Sequence, residues 1–325
     1  MESKTYKLEQ SFLHRLRSKR NLAIQLGVAK NFFCRPFKIQ YRTHDIVQDN
    51  KIRTINDPVD RFKRIQRNLL KYLQRISTPD WLISGKKGKT YITNAEHHCR
   101  NEYVLTADIS NFYNSCKEEH VKNMFKNKFR MSSDVARVLT QLVCLGGFLP
   151  TGAPTSQLIA YWTYSDIFDN INQIATKNGC IFSLYVDDMT FSSKKPIEEK
   201  VIYAVNRELK KVGLLLKKGK TKHYSCNEFK LITGTVIDVN GVLKVPNKRR
   251  LSIIKTYEEY SRAEGVAKEK LRQRAVGRIN AARQIEREIF PDLYSKLKRK
   301  AKKTHLQQVK VKKKSNNTRK LQNAE

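Results

Sequence analysis

The stretch CIFSLYVDDMTFSS, Cys180 to Ser193, sets two strand-like runs on either side of Val186-Asp187-Asp188. Apolar, aromatic and β-branched residues fill both runs, so they read as a hairpin that lifts Asp187 and Asp188 to the rim of a sheet. Two adjacent carboxylates in a tight turn repel each other, and such a site is costly without a counter-ion. Alone, the pair reads most simply as a solvated turn, because Asp is common in turns. A third carboxylate changes that: the strand EYVLTAD ends on Asp108, where a helix is expected to begin. Beside the hairpin, Asp108 completes an oxygen cluster able to hold two Mg²⁺ roughly 3.5–4 Å apart. Hard oxygen ligands favour magnesium, with Mn²⁺ as an alternative. Such a centre suits in-line phosphoryl transfer, where positioning and charge neutralisation supply most of the catalysis.

Charge points to the partner. With 65 Lys+Arg against 30 Asp+Glu, the chain of 325 residues carries 65 − 30 = +35. A compact state of that charge repels itself unless a polyanion offsets it, and nucleic acid is the polyanion expected. No apolar run approaches the roughly 18 residues of a membrane span. The start, MESKTYKLEQSF, lacks the apolar core of a signal peptide, so a cytoplasmic location is expected. Six cysteines without a CxxC pair give no zinc-finger spacing and read as small buried hydrophobes.

Periodicity predicts a basic amphipathic helix over residues 5–26, then two short strands around a turn at Asp49-Asn50. Asp57 as N-cap and Pro58 at the first position start a helix carrying Phe62, Ile65, Leu69, Leu73 and Ile76 on one face. A strand over NEYVLTADIS leads into a helix, and the Gly/Pro loop GGFLPTGAPTSQ into a long helix capped at Thr155 or Ser156 and ending near Gly179. Pro196 to Gly213 reads as a helix, and NEFKLITGTVIDVNGVLKV as a hairpin turning at Asn240-Gly241. Past Pro246 the chain becomes helical and basic; residues 291–325 hold 12 basic and 2 acidic residues, a net of +10. The last fifteen residues, 311–325, are expected to be a basic tail, disordered when nothing is bound.

YVDD in a strand turn, ADISNFYNS, LPTGAPTSQ and GLLLKKGKTK, in that order and spacing, resemble the palm motifs of reverse transcriptases. The resemblance covers roughly Asn50 to Val245. Its finer features are similar to the bacterial retron type: TNAEHHCR matches an Asn-Ala-x-x-His signature through Asn94, Ala95 and His98. LITG stands close to that group's Val-Thr-Gly, with Ile232 in the Val place before Thr233 and Gly234. The resemblance implies an α+β right-hand polymerase fold. Fingers and palm, an antiparallel sheet plus helices, would occupy residues 1–245, and a basic helical RNA-binding thumb residues 246–310.

It also implies roles. Asp108, Asp187 and Asp188 are the catalytic and metal-holding residues, with the backbone at Ile109 completing the metal site. Tyr113, five positions after Asp108, falls at an aromatic steric gate against a ribose 2′-hydroxyl; a plain core tyrosine is the alternative. Lys51 and Arg53 match a fingers segment that grips the incoming triphosphate, or form a generic basic edge strand. Gly152 permits close backbone approach of the base pair or template. Lys220 would stand near the pyrophosphate. Gln157, Tyr185, Thr233 and Gly234 fall where template, primer or RNA is contacted, while Asn94 and His98 brace the fold or touch RNA.

The implied activity is RNA-directed DNA synthesis from deoxynucleoside triphosphates. A retron enzyme copies part of its own structured noncoding RNA from a guanosine 2′-hydroxyl, giving a branched RNA–DNA molecule (msDNA). Such systems resemble anti-phage defence units with a separate effector protein. Two other readings remain open: another bacterial defence reverse transcriptase with a different template or priming mode, and a non-catalytic RNA-binding protein. The intact aspartate set speaks against the second.

Overall fold

The computed structural model of the chain describes residues 5–48 and 51–298. Contacts divide the chain into two units, Met1–Thr233 and Gly234–Glu325. The first unit opens with a short 3₁₀ turn, Leu8–Gln10, and helix α1, Lys19–Gln25. The continuous helix expected over residues 5–26 is therefore corrected. Ser11 is extended and Arg15 takes φ of 56°, which breaks the helix, and Ser18 restarts it by accepting from the Asn21 N–H at 3.2 Å. Leu13, Leu16 and Leu22 are still buried, so the apolar pattern was a true core signal carried on irregular backbone.

Strands β1, Tyr41–Gln48, and β2, Lys51–Pro58, pair antiparallel; the turn expected at Asp49-Asn50 lies outside the described residues. Cross-strand bonds from Thr43 to Asn56 (2.9 Å) and from Thr54 to Asp45 (2.8 Å) hold the ribbon. Helix α2, Asp60–Leu73, buries Phe62, Ile65, Leu69 and Leu73 as expected. Its cap is corrected to Val59. Pro58 pairs with Tyr41 at the end of the ladder, and the Asp57 carboxylate is taken by Lys63 at 2.7 Å.

Helix α3, Tyr91–Glu96, precedes β3, Tyr103–Asp108. The helix after β3 is interrupted: α4, Phe112–Ser115, and α5, Glu118–Asn123, are followed by a π-helical turn over Met124–Lys128 and by α6, Ser133–Val143. Helix α7, Ser156–Lys177, is capped at Thr155 and places its Phe168 in the same core as Phe182. Strands β4, Ile181–Tyr185, and β5, Asp188–Ser193, form the hairpin expected from CIFSLYVDDMTFSS. Helix α8, Glu199–Lys210, leads to β6, Lys222–Tyr224, and β7, Lys230–Ile232. The main sheet has the order β4-β5-β3-β6, all antiparallel. Strand β5 is central, and its Met189 to Ser193 are all buried, as a strand covered on both faces requires.

The second unit starts with β8, Thr235–Ile237, and β9, Leu243–Lys244, paired antiparallel through Val236↔Lys244. Between them the Asp238 carboxylate accepts from the Asn240 and Val242 N–H groups, and Gly241 supplies φ of 77°. Helices α9, Asn247–Arg262, and α10, Gly265–Arg283, follow, with residues 291–298 also helical. Ile253, Tyr260, Ala275, Ile279 and Ala282 form their core together with Val245. That membership explains why the division falls at Thr233/Gly234, ahead of the Val245 boundary read from composition. Arg250 grips Glu286 through two bonds of 2.6 and 2.8 Å. No helix of the described residues is long and apolar enough to cross a membrane. The tail 311–325 lies outside them.

Candidate active site

Antiparallel register does the first work. Strand β3 runs against β5 so that its last residue, Asp108, is the direct partner of Asp188. The two-residue turn Val186-Asp187 then sets the third carboxylate beside them. Two backbone bonds weld the corner: the Ile109 N–H donates to the Asp187 carbonyl (3.0 Å), and the Lys217 N–H to the Asp108 carbonyl (2.8 Å). Val186 takes φ of 62°, a left-handed conformation that a β-branched residue rarely adopts. What holds it there is the segment 81–84. Leu184 donates to the Trp81 carbonyl (2.8 Å), Ile83 donates to the Leu184 carbonyl (3.0 Å), and the Val186 N–H donates to the buried Ser84 hydroxyl (2.9 Å).

Gathering carboxylates this closely perturbs them. Burial, then the charges of Asp187 and Asp108, then a carboxyl–carboxyl hydrogen bond with Asp108 push Asp188 up to about 8. Asp187 is raised too, chiefly by burial, while Lys217 and Arg53 pull it back. Among the described residues, no three His, Cys, Asp or Glu side chains are drawn into a closed metal cluster. Burial and the neighbouring negative charges instead favour a proton on Asp188. Oxygen-only donors whose burial and mutual repulsion raise a pKa this far are chemically suited to a hard divalent cation, which would replace that proton.

In front of the carboxylates lies a cavity of about 590 Å³. Arg53 of β2, Tyr113 of α4, Asp187 and Lys217 line it together, so residues more than a hundred positions apart converge on one space. That volume suits a nucleotide-sized ligand. Burial and the neighbouring Asp187 charge raise the Tyr113 phenol, which therefore stays neutral. The adjacent ring, Phe112, is buried in the core against Phe168 (6.3 Å between centroids). Of the lysines in this run, Lys217 lines the cavity and Lys220 does not. Lys220 is exposed one turn away, bonding only its backbone N–H to the Lys217 carbonyl (3.2 Å). Sequence reasoning missed Lys217 and Ser84. The one stands in a run of lysines, and the other in an apolar stretch with no motif.

Gly152 has φ of 108°, and the backbone that approaches it is the chain's own. A Cβ there would come within 2.7 Å of the Ile55 side chain and 3.1 Å of the Asn56 carbonyl. Asn56 in turn donates its N–H to the Thr151 carbonyl (2.7 Å), so this loop fastens the β1–β2 ribbon to the unit that carries the aspartates.

Of the two roles expected for Asn94 and His98, bracing the fold is the one their burial suits, since both are 0% exposed. His98 bonds the Ser192 and Ser183 hydroxyls, each at 2.7 Å, and Ser183 donates to the Asn94 carbonyl oxygen at 2.8 Å. Asn94 reaches Thr233 at 3.3 Å, and Thr233 donates to the Tyr91 carbonyl at 3.0 Å. The network therefore ties α3 to the back of β4 and β5, with the imidazole kept neutral: burial pushes His98 down to about 3. Gln157 is half-buried at the start of α7, near Gly85. Tyr185 is half-buried beside Asp188, which helps raise its phenol. Gly234, at φ of 83°, opens the second unit with Arg249 3.5 Å from where its Cβ would be. Lys51 opens β2, where its backbone pairs with that of Gln48.

Three carboxylates on the rim of an antiparallel palm sheet, faced by a nucleotide-sized cavity, belong to the right-hand polymerase fold. The chain belongs to the reverse transcriptase (RNA-dependent DNA polymerase) family, whose profile matches residues 43–254. Retron Se72 reverse transcriptase of Salmonella heidelberg is 30% identical over 243 residues, covering 71% of this chain and 64% of that protein. Retron Ec86 reverse transcriptase of Escherichia coli is 26% identical over 211 residues, 62% of this chain and 65% of that protein. The chain thus spans just under two thirds of the length of these relatives. Among solved structures, Candida albicans telomerase in complex with a TWJ fragment of telomeric RNA aligns at 12% identity and a TM-score of 0.46. That alignment covers 82% of this chain and 56% of the telomerase chain.

Proposed function

We propose that the chain is an RNA-directed DNA polymerase of the retron type. On this reading it copies part of its own structured noncoding RNA from a 2′-hydroxyl of that RNA, and leaves a branched RNA–DNA product. The observation that carries the polymerase reading is the β3–β5 register. It makes Asp108 and Asp188 direct partners and aims Asp187 into the cavity that Arg53, Tyr113 and Lys217 also line.

Asp108, Asp187 and Asp188 would hold Mg²⁺, which when bound supplies charge neutralisation and a lowered pKa for the attacking hydroxyl. The rest falls to side chains in place. Arg53 offers a planar fork to the triphosphate of an incoming deoxynucleotide, and Lys217 a point charge near the leaving pyrophosphate. The neutral Tyr113 ring stands as a wall where a ribose 2′-hydroxyl would project. Segment 81–84 fixes the strained turn, so the carboxylates need no reorganisation when substrate arrives. The second unit, rich in Lys and Arg on α9 and α10, is the proposed thumb and RNA grip, with phosphate contacts giving affinity and shape giving selectivity. A cytoplasmic place and a role in anti-phage defence beside a separate effector protein complete the proposal. Its support is the likeness to retron enzymes and the retron-type signature at Asn94, Ala95 and His98.

The test is to copurify and sequence the bound nucleic acid. A covalently branched RNA–DNA, absent when Asp187→Asn replaces the wild type, is expected. Linear DNA alone from a foreign template would overturn the retron part while leaving the polymerase part standing.

A further inference from the structure

Backbone strain marks a second place in the first unit. Six non-glycine residues among those described take positive φ. Two of them, Asn111 and Val186, belong to the catalytic corner. Arg15 (φ 56°) and Arg130 (φ 53°) form another pair, and both line a single cavity of about 600 Å³. Strained backbone clusters at functional sites, though it persists wherever the surroundings over-determine it. The two turns are clamped side by side. The Arg15 N–H donates to the Phe129 carbonyl (2.8 Å), and the Ser132 N–H to the Leu16 carbonyl (3.1 Å). Between them and α5 runs the π-helical turn Met124–Lys128, an irregularity that itself recurs at functional sites. It contributes Asn127 and Lys128 to the cavity.

The lining chemistry is cationic. Arg15, Arg130 and Lys128 face Glu9 as the sole carboxylate, with His14 beside them. Lys128 is held by Asp166 at 2.7 Å, whereas neither arginine is paired with a carboxylate of the described residues. No Phe, Tyr or Trp lines the cavity, and its only ring is the small imidazole of His14. None of its lining residues borders the catalytic cavity. Two unpaired guanidinium forks with no large aromatic platform beside them suit a sugar–phosphate backbone.

We propose that this cavity is a second nucleic-acid site, at which Arg15 and Arg130 seat phosphodiesters of a strand bound away from the polymerase centre. The site goes beyond the polymerase reading and does not depend on catalysis.

The positive φ values provide a clean test, since glycine adopts that conformation without strain. In full-length protein, Arg15→Gly with Arg130→Gly removes both charges, and the melting temperature should hold or rise. The probes are a fluorescein-labelled stem-loop RNA and a single-stranded DNA of the same sequence, titrated by anisotropy across a salt series without nucleotide. Losing two phosphate contacts should lower the salt slope of log K by about 1.4–1.8. A drop with the RNA alone assigns the site to template or noncoding RNA, and a drop with the DNA alone assigns it to the product. Arg15→Lys with Arg130→Lys should restore the slope. Extension of a supplied primer–template at saturation should stay at the wild-type rate in the glycine variant. An unchanged slope with both probes overturns the proposal. So does a fall in melting temperature, which would make the arginines structural. Inactivity or full activity of Asp187→Asn bears on the polymerase reading alone, since binding is read without turnover.

Discussion

Asp108 and Asp188 are register partners across β3 and β5, and their carboxyls share a hydrogen bond. Like charges held this close destabilise the protein on their own, and the sign can be worked out. Asp188 titrates at about 8 in the fold against an ordinary value near 4. Its protonated form is thus favoured by folding, and that stability is present below pH 4 and lost as pH rises toward 8.

Asp188→Asn should therefore abolish DNA synthesis and at the same time raise the stability of the metal-free protein. The expected gain is about 1–2 kcal/mol at pH 8, and smaller at pH 5. Added Mg²⁺ should narrow the difference, because only the wild type gains stability by binding it. Denaturant midpoints at the two pH values, with and without Mg²⁺, check this. An apo variant less stable than wild type at pH 8 would remove the repulsion argument.

Tyr113→Ala should open the wall of the cavity. The ratio of kcat/KM for dNTP over rNTP is expected to fall about ten- to hundredfold, with dNTP incorporation partly kept. An unchanged ratio in a folded, active variant would return Tyr113 to the role of a packing residue.

Lys217 and Lys220 stand three positions apart, and only the first lines the cavity with Asp187. Lys217→Ala should lower kcat about a hundredfold, whereas Lys220→Ala should change it little. Single-turnover incorporation in both variants separates them; the reverse ranking would sink the assignment.

The main features of this site were legible because strand periodicity is local. EYVLTAD and the two runs around Val186-Asp187-Asp188 announce three strands, and the hairpin sets the β4–β5 register, while the β3–β5 pairing of Asp108 with Asp188 is a long-range fact. Lys217 was not legible. Its place depends on an antiparallel contact of Leu216 with Ile109, a long-range fact that no spacing within a run of lysines encodes. The false cap at Asp57-Pro58 has the same origin, since Tyr41 and Lys63 claim those residues from elsewhere in the fold. Asn94 and His98 were visible as a motif, but their burial against Ser183 and Ser192 appears only once β4 and β5 are built.

Ser84→Ala removes the acceptor for the Val186 N–H. Leaving that group unsatisfied should cost about 1–3 kcal/mol, borne locally by the turn that carries Asp187. The expected pattern is a severalfold drop in kcat with KM for dNTP nearly constant. Equal losses in stability and in every kinetic constant would mean that Ser84 supports the fold generally.

His98 supplies a pH test of the bracing network. Folded, it titrates at about 3, against about 6.5 for an exposed histidine. Between those values the unfolded chain binds a proton that the native one refuses. Stability is therefore full above pH 6.5 and falls as pH drops, by about 1.4 kcal/mol per unit once the unfolded histidine is charged. His97, exposed but also shifted downward by partial desolvation, adds to the slope in the same direction, so a His97→Gln control is needed. Carboxylates confuse the reading at lower pH, which makes the interval from about 5 to 6.5 the useful one. There, His98→Gln should be less stable than wild type at every pH, because Ser183 and Ser192 lose matched partners, yet its stability should vary less with pH. The His97→Gln control should keep most of the wild-type slope. Urea midpoints across the interval give both quantities. A slope in His98→Gln as steep as that of the wild type would show that protons enter elsewhere, and that the imidazole is not the buried neutral brace described above.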